Sequence, residues 1–153
     1  MKPQLRDWVD FISKVGEDRW LLAGTVTLHK SHPKTKKKLH PNDANTTAGV
    51  LLTSINKRLF NHRAARHGAT VSAVMLMGYD AYRELSHLHF VLGAPFEISY
   101  DQLACAVQKS IQKASWCNEE YRLEVYKDAG WLRYMLNHGT AYLMVQYLLK
   151  AKS

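Results

Sequence analysis

The sequence contains little of what would build a disulfide scaffold or a membrane protein. Only two cysteines, Cys105 and Cys117, occur in 153 residues, too few and too far apart for a disulfide framework or a zinc knuckle. No run of about 18 apolar residues is present, so no membrane-spanning helix is expected. The first residues also lack the apolar segment of a secretory signal. These absences predict a cytoplasmic protein without a membrane partner.

Acidic residues are scarce relative to basic ones, and this imbalance indicates a partner that carries negative charge. The chain has 13 acidic and 21 basic residues, which gives a formal net charge of +8. Such an excess favours a polyanionic partner, most often nucleic acid. The length suits one domain over residues 1–153, with no room for a helicase domain. The sequence therefore favours a single basic domain with a nucleic-acid partner.

Two basic segments are candidates for that contact, namely the loop over residues 29–45 and the end of the helix that follows it. A lysine cluster in a loop is most often a solvated charge run, and cations in a last helical turn also suit the helix dipole. We favour a flexible arm that contacts phosphates, because the loop directly follows a strand of the predicted sheet. The predicted DNA-binding residues are Lys34, Lys36, Lys37, Lys38, Arg63 and Arg66.

Hydrophobic periodicity predicts the element order α-β-α-β-β-α-β-α. Without the first helix, this order is the split βαβ plan of a ferredoxin-like or RRM-like α+β fold plus one further helix. A mainly antiparallel sheet would carry helices on one side, with the first and third strands adjacent at its centre. The predicted elements are a helix over 1–17, a strand over 19–28, a helix capped by Asn45 or Thr46, strands over 69–77 and 87–92, a helix capped by Ser99, a strand over 121–126, and a helical region from residue 129 nearly to the end.

The third predicted strand carries two histidines separated by one apolar residue. Side chains at i and i+2 of a strand share a face, so His87 and His89 would lie side by side while Leu88 and Phe90 enter the core. Two imidazoles on a rigid strand can supply two ligands to a divalent metal, although ordinary half-buried histidines are the simpler explanation. Alternation along the first strand places three polar residues near them: Thr25, Thr27 and His29.

Two motifs and a later tyrosine together resemble the HUH endonucleases. The motifs are a strand ending Thr-Val-Thr-Leu over residues 25–28 and a central His-Leu-His-Phe strand over residues 87–90. The resemblance is closer to the rolling-circle replication initiators of plasmids and single-stranded DNA phages, and it covers residues 19–138. It implies that His87 and His89 hold a Mg²⁺ or Mn²⁺ ion that polarises a scissile phosphate. It also implies a tyrosine nucleophile that leaves a 5′-phosphotyrosine and a free 3′-hydroxyl in single-stranded DNA.

The resemblance places the nucleophile on a helix after the fourth strand. Tyr134 suits that position, 45 residues beyond His89, and is the first choice. It is followed three residues later by Asn137, where the family commonly has lysine. Tyr147 has a lysine at that spacing and is the second choice, with Tyr142 third.

The resemblance also implies an acidic third metal ligand just before the histidine strand. Asp80 is the first choice because it follows the second predicted strand directly, and Glu84 is the alternative. Either side chain can equally be a solvated hairpin carboxylate. The implied partners are single-stranded DNA at a replication origin and a host helicase and polymerase, in the cytoplasm of a bacterial or archaeal host cell.

Three alternative functions use the same features. An HUH transposase or relaxase domain would share the histidines and the tyrosine. A non-catalytic nucleic-acid-binding module would share the fold and the basic charge. A metal hydrolase would use the histidines to activate water, without a covalent step.

Overall fold

The structure is a computed structural model that describes residues 20–61, 71–95, 97–128, 130 and 142–144. Its elements are β1 (Trp20–Leu28), α1 (Pro41–Phe60), β2 (Ser72–Asp80), β3 (Leu85–Gly93), α2 (Tyr100–Lys113), β4 (Cys117–Val125) and β5 (Tyr142–Met144). None of the described helices is both long and apolar enough to cross a membrane. The predicted helix over 1–17 lies outside the described residues, as do the candidates Arg63, Arg66, Tyr134 and Tyr147.

The strands form one antiparallel sheet in the order β4-β1-β3-β2-β5. The predicted adjacency of the first and third strands at the centre is confirmed. The fold is α+β, and its first four strands and two helices are compatible with a ferredoxin-like arrangement. This order puts β3, which carries the histidines, between β1 and β2.

Both helices pack against one face of the sheet, which we call the helix face. Leu88 and Phe90 of β3 are at most 1% exposed and join the same core cluster as Leu51 of α1 and Leu103 of α2. The alternate residues His87 and His89 are only partly buried and lie on the opposite face. We call this second face the histidine face. The predicted division of β3 between core and site is therefore confirmed.

Helix α1 begins earlier than predicted. Its N-cap is His40, whose Nδ1 accepts from the Asn42 N–H at 3.0 Å, while the Asp43 carboxylate accepts from the His40 N–H at 3.0 Å. Pro41 occupies the first helical position, where its fixed φ is favourable and its missing N–H is harmless. The prediction of Asn45 or Thr46 as the cap was wrong because Pro41 was interpreted as part of the loop. The predicted Ser99 cap of α2 is confirmed.

Three residues within the predicted C-terminal helical region, 142–144, form a strand instead. Tyr142–Met144 forms the strand β5, whose residues are partners of Met77, Leu76 and Met75 of β2. A short apolar run has no periodicity that separates strand from helix, and pairing with β2 satisfies backbone groups at a sheet edge. Tyr142, the third-choice nucleophile, therefore lies on a strand rather than on the helix that the resemblance implies.

Candidate metal and phosphate site

Two rows of residues cross the histidine face. In one row, Arg122 of β4, Thr25 of β1 and His89 of β3 are successive partners. In the next row, Thr27 is the partner of His87. Partnered residues of antiparallel strands project their side chains from the same face. The predicted proximity of both threonines to the histidines is therefore confirmed.

Each threonine hydroxyl contacts one imidazole. Thr25 Oγ1 lies 3.0 Å from His89 Nδ1, and Thr27 Oγ1 lies 3.2 Å from His87 Nδ1. The two rings are 6.0 Å apart between centroids and tilted by 32°. Among the described residues, neither Nε2 atom has a hydrogen-bond partner. Metal-binding histidines are commonly held this way, with one ring nitrogen bonded to the protein and the other left for the metal.

Gly78 provides the space beside His89. A Cβ atom on Gly78 would lie 2.7 Å from His89 Nε2 and 2.9 Å from its Cδ2. Any side chain at this position would therefore occupy the room next to the unpartnered nitrogen. The absence of a side chain here fits a small ligand such as a cation at Nε2.

Both imidazoles are uncharged at neutral pH. Burial, followed by the neighbouring His87, lowers the pKa of His89 to about 4. Burial also lowers the pKa of His87, with the Arg83 charge acting in the same direction and Asp80 and Glu120 opposing it. A neutral imidazole has a lone pair to offer a metal ion. The donors therefore fit a divalent cation.

The two predicted carboxylate ligands do not complete a three-ligand cluster. No group of three or more His, Cys, Asp or Glu side chains suitable for a metal occurs among the described residues. Asp80 Oδ1 instead accepts from the N–H groups of Tyr82 and Arg83 at 2.9 and 3.3 Å, in the β2–β3 turn. Glu84 is exposed and forms an ion pair with Lys30 at 3.6 Å. The third ligand therefore stays a prediction.

Six charged residues that the sequence analysis did not identify line the cleft above the histidines: Arg83, Glu120, Arg122, Glu124, Lys127 and Asp128. The cleft has a volume of about 950 Å³. Arg83 donates to both carboxylate oxygens of Glu120, at 3.0 and 2.6 Å. Their separation in sequence hides this proximity, because it depends on how β4 pairs with β1. Arg122 lies within the predicted strand over 121–126, whose alternation already places it on the face opposite to Leu123.

The predicted lysine arm is a hydrogen-bonded hairpin. Ser31 and Lys38 form a β-bridge, and His32 Nδ1 accepts from two backbone N–H groups. The rings of His32 and Trp116 form a T-shaped pair with 5.0 Å between their centroids. Two lysine side chains are engaged in local hydrogen bonds. Lys36 Nζ donates to the Pro33 carbonyl at 3.0 Å, and Lys37 Nζ donates to the Asp43 carboxylate at 3.1 Å. The side chains of Lys34 and Lys38 have no such partner among the described residues. His29 lies past the end of β1, and its N–H donates to the carbonyl of Trp116 at 2.9 Å.

Comparisons with known protein families, with curated proteins and with solved structures find no match to this chain. The argument for function therefore depends on the site itself. The site combines two neutral imidazoles, whose Nε2 atoms have no hydrogen-bond partner among the described residues, with the guanidinium groups of Arg83 and Arg122 in the cleft lining. Such a set can bind a cation and an anionic group together.

Proposed function

We propose that this chain is a metal-dependent endonuclease of the HUH type that nicks single-stranded DNA at a replication origin to initiate rolling-circle replication. The observation that carries the proposal is the pair of imidazoles on the central strand. Each Nδ1 is held by a threonine, and neither Nε2 has a partner among the described residues. His87 and His89 would hold a Mg²⁺ or Mn²⁺ ion, which polarises a phosphoryl oxygen when bound.

The proposed reaction is a transesterification. The phenol oxygen of Tyr134, with Tyr147 as the second choice, attacks the phosphorus and loses its proton. The bond from phosphorus to the 3′-oxygen breaks, and that oxygen takes up a proton. The products are a 5′-phosphotyrosine and a free 3′-hydroxyl, so the strand can later be rejoined without another energy source.

Arg122 in the cleft and two lysines of the hairpin support a nucleic-acid substrate, although the cleft lining carries as many acidic as basic residues. Arg122 of β4 is separated from His89 of β3 by Thr25 of β1, and it has no carboxylate partner among the described residues. A guanidinium binds phosphate oxygens through two parallel hydrogen bonds. Lys34 and Lys38 add unpaired cations on the exposed hairpin. We expect these groups to contact the DNA backbone, and binding to weaken as salt rises.

Covalent capture of DNA tests the proposal. The protein is incubated with Mn²⁺ and a pool of random-sequence single-stranded oligonucleotides labelled at either end, and then denatured in SDS. A 5′-phosphotyrosine keeps the DNA downstream of the nick, so the 3′ label should travel with the protein and the 5′ label should not. Sequencing the captured DNA would identify the recognition site.

The variants separate the proposal from its alternatives. Tyr134→Phe and His87→Ala should abolish the adduct, whereas Tyr147→Phe and the exposed control Tyr82→Phe should retain it. Loss of the adduct only in Tyr147→Phe would make Tyr147 the nucleophile. Binding without any adduct would favour a non-catalytic nucleic-acid-binding module. Cleavage that survives both Tyr134→Phe and Tyr147→Phe would favour a metal hydrolase.

A further inference from the structure

The floor of the cleft is formed by short side chains of one strand. On the histidine face, β1 presents Ala23, Thr25 and Thr27, because alternate residues of a strand share a face. The neighbouring strand β3 carries the larger rings of His87 and His89 beside them. The cleft is therefore a trough along β1, with β3 and β4 as its walls.

The β4 wall carries charged side chains at alternate positions. Glu120, Arg122 and Glu124 all line the cleft. The two-point contact with Arg83, at 3.0 and 2.6 Å, neutralises the charge of Glu120. Neither Arg122 nor Glu124 takes part in an ion pair among the described residues. The wall thus presents one available positive charge next to one available negative charge.

Arg122 is placed to reach a group that lies beside His89. The two residues are partners of Thr25 from opposite sides. Adjacent strands are about 4.8 Å apart, so the backbones of Arg122 and His89 are separated by about 10 Å across the trough. The short Thr25 side chain forms the floor between them. A phosphate group over Thr25 would accept hydrogen bonds from the Arg122 guanidinium while facing the His89 ring.

Glu124 lies at an end of the trough that disfavours phosphate. Its partner Ala23 is 2% exposed, and Val91, which follows in the same row, is 0% exposed. A carboxylate beside buried apolar side chains repels a phosphate and offers it no hydrogen-bond donor. Lys127 and Asp128 also line the cleft, and their opposite charges cancel.

The other end of the trough leads to the lysine hairpin. β1 ends at Leu28, directly after Thr27, and the hairpin with the Ser31–Lys38 bridge follows it. The available lysines therefore lie at the end that is distant from Glu124. The charges along the trough favour phosphates from Arg122 toward the hairpin and disfavour them at Glu124.

We propose that Arg122 binds the phosphate that lies over Thr25 beside His89, and that Glu124 confines the phosphates of the DNA to the hairpin end of the cleft. The role of Arg122 rests on the proposed function, under which this phosphate is the scissile one. Binding of DNA by this wall does not require the cation, so it can be measured separately.

The salt dependence of DNA binding tests Arg122. Binding of a random-sequence single-stranded oligonucleotide is measured by fluorescence anisotropy in EDTA over a range of salt concentrations. Each phosphate contact to single-stranded DNA contributes about 0.7 to the slope of log K against log salt concentration. Arg122→Gln should therefore weaken binding and lower the slope by about 0.7. The control Lys113→Gln removes an exposed cation of α2 that does not line the cleft, and it should leave the slope unchanged.

Two substitutions test Glu124 in the same assay. Glu124→Gln should tighten binding because it removes the repulsion, and Glu124→Lys should raise the slope by about 0.7 because it adds a phosphate contact. Glu119→Gln is the matched control, since it removes an equal charge from an exposed residue of β4 outside the cleft lining. A wild-type slope in Arg122→Gln would overturn the role of Arg122. Equal tightening in Glu124→Gln and Glu119→Gln would overturn the role of Glu124.

The covalent adduct with Mn²⁺ separates failure of this inference from failure of the proposed function. If the wild type forms the adduct while Arg122→Gln keeps a wild-type slope, the phosphate role of Arg122 is wrong and the nicking function stands. If the slope falls in Arg122→Gln and the wild type forms no adduct, Arg122 binds phosphate in the cleft and the nicking function is wrong.

Discussion

The two faces of the central sheet use the same strands for different purposes. On the helix face, Leu88 and Phe90 are at most 1% exposed and pack into the core beneath both helices. On the histidine face, His87 and His89 are partly buried and contact threonine hydroxyls. Successive residues of β3 therefore alternate between the core and the candidate site. Substitutions one residue apart should separate the two properties.

The largest expected effect is on stability, from Phe90→Ala. Truncating a buried phenylalanine removes apolar contacts and leaves a cavity, which typically costs about 3–5 kcal/mol. Urea denaturation of the metal-free protein should show this loss. His87→Ala should lower the free energy of unfolding far less, because its ring is only partly buried.

The effect of Mn²⁺ on the melting temperature should separate the same two variants in the opposite order to their stability. A cation that binds the folded state raises the melting temperature. Phe90→Ala should keep the Mn²⁺-induced rise although its starting value is lower, and His87→Ala should lose it. Equal loss of stability in the two variants would show that the faces are not energetically distinct.

The second effect is a dependence of stability on pH that arises from the histidine face. The pKa of His89 falls from 6.5 to about 4 in the folded protein because of burial and then His87. Between these pH values the unfolded chain binds a proton that the folded chain does not, so stability falls as pH decreases. The free energy of unfolding should not change through this group above about pH 6.5, and it should be lower by up to ~3 kcal/mol near pH 4.

Urea midpoints of the metal-free protein across this pH range measure the effect, with His89→Gln as the control. The variant should have a flatter profile between about pH 6.5 and pH 4, since it lacks the titrating ring. A profile that is equally steep in the variant would place the pH dependence in other groups. The buried residues of the helix face do not titrate between about pH 4 and pH 6.5 and should contribute nothing to this difference, since burial raises the pKa of the Cys117 thiol to about 12.

Local sequence patterns were enough to predict the division between the faces. Alternation over residues 87–90 placed the histidines and the core residues of β3 correctly, and the split βαβ order placed β3 beside β1. The Ser99 cap followed from its side chain and its position before a helical period. Pro41 was misinterpreted because proline favours both loops and first helical turns.

The charged part of the site could not be predicted in the same way. Arg83 and Glu120 meet across the sheet only because three residues of β4 lie opposite Thr27. No periodicity in the sequence specifies that irregularity, since it arises from how two distant strands pair. Which imidazole each threonine contacts likewise could not be assigned without the register of β1 against β3. Thus the two faces and the proximity of the threonines to the histidines were predictable, whereas the ion pair and the individual hydrogen bonds between strands were not.

The smallest expected effect on stability comes from two glycines that occupy opposite faces. A Cβ on Gly24 would lie 2.5 Å from Phe90 Cε2 and 2.9 Å from Leu123 Cδ2, within the packed core. Overpacking of this kind typically costs about 1–3 kcal/mol, so Gly24→Ala should lower the urea midpoint. A Cβ on Gly78 would lie 2.7 Å from His89 Nε2, on the less densely packed face. Gly78→Ala should therefore destabilise the protein less than Gly24→Ala.

Gly78→Ala should impair cation binding more than Gly24→Ala, which is the opposite of their order in loss of stability. Gly78→Ala fills the space beside His89 Nε2 and should abolish Mn²⁺ binding, whereas Gly24→Ala leaves the histidine face unchanged and should bind normally once folded. Calorimetry at a temperature where both variants are folded measures this difference. If Gly78→Ala binds Mn²⁺ with wild-type affinity, the cation does not lie beside His89 Nε2. The role of the histidine face would then have to come from its threonines and arginines alone.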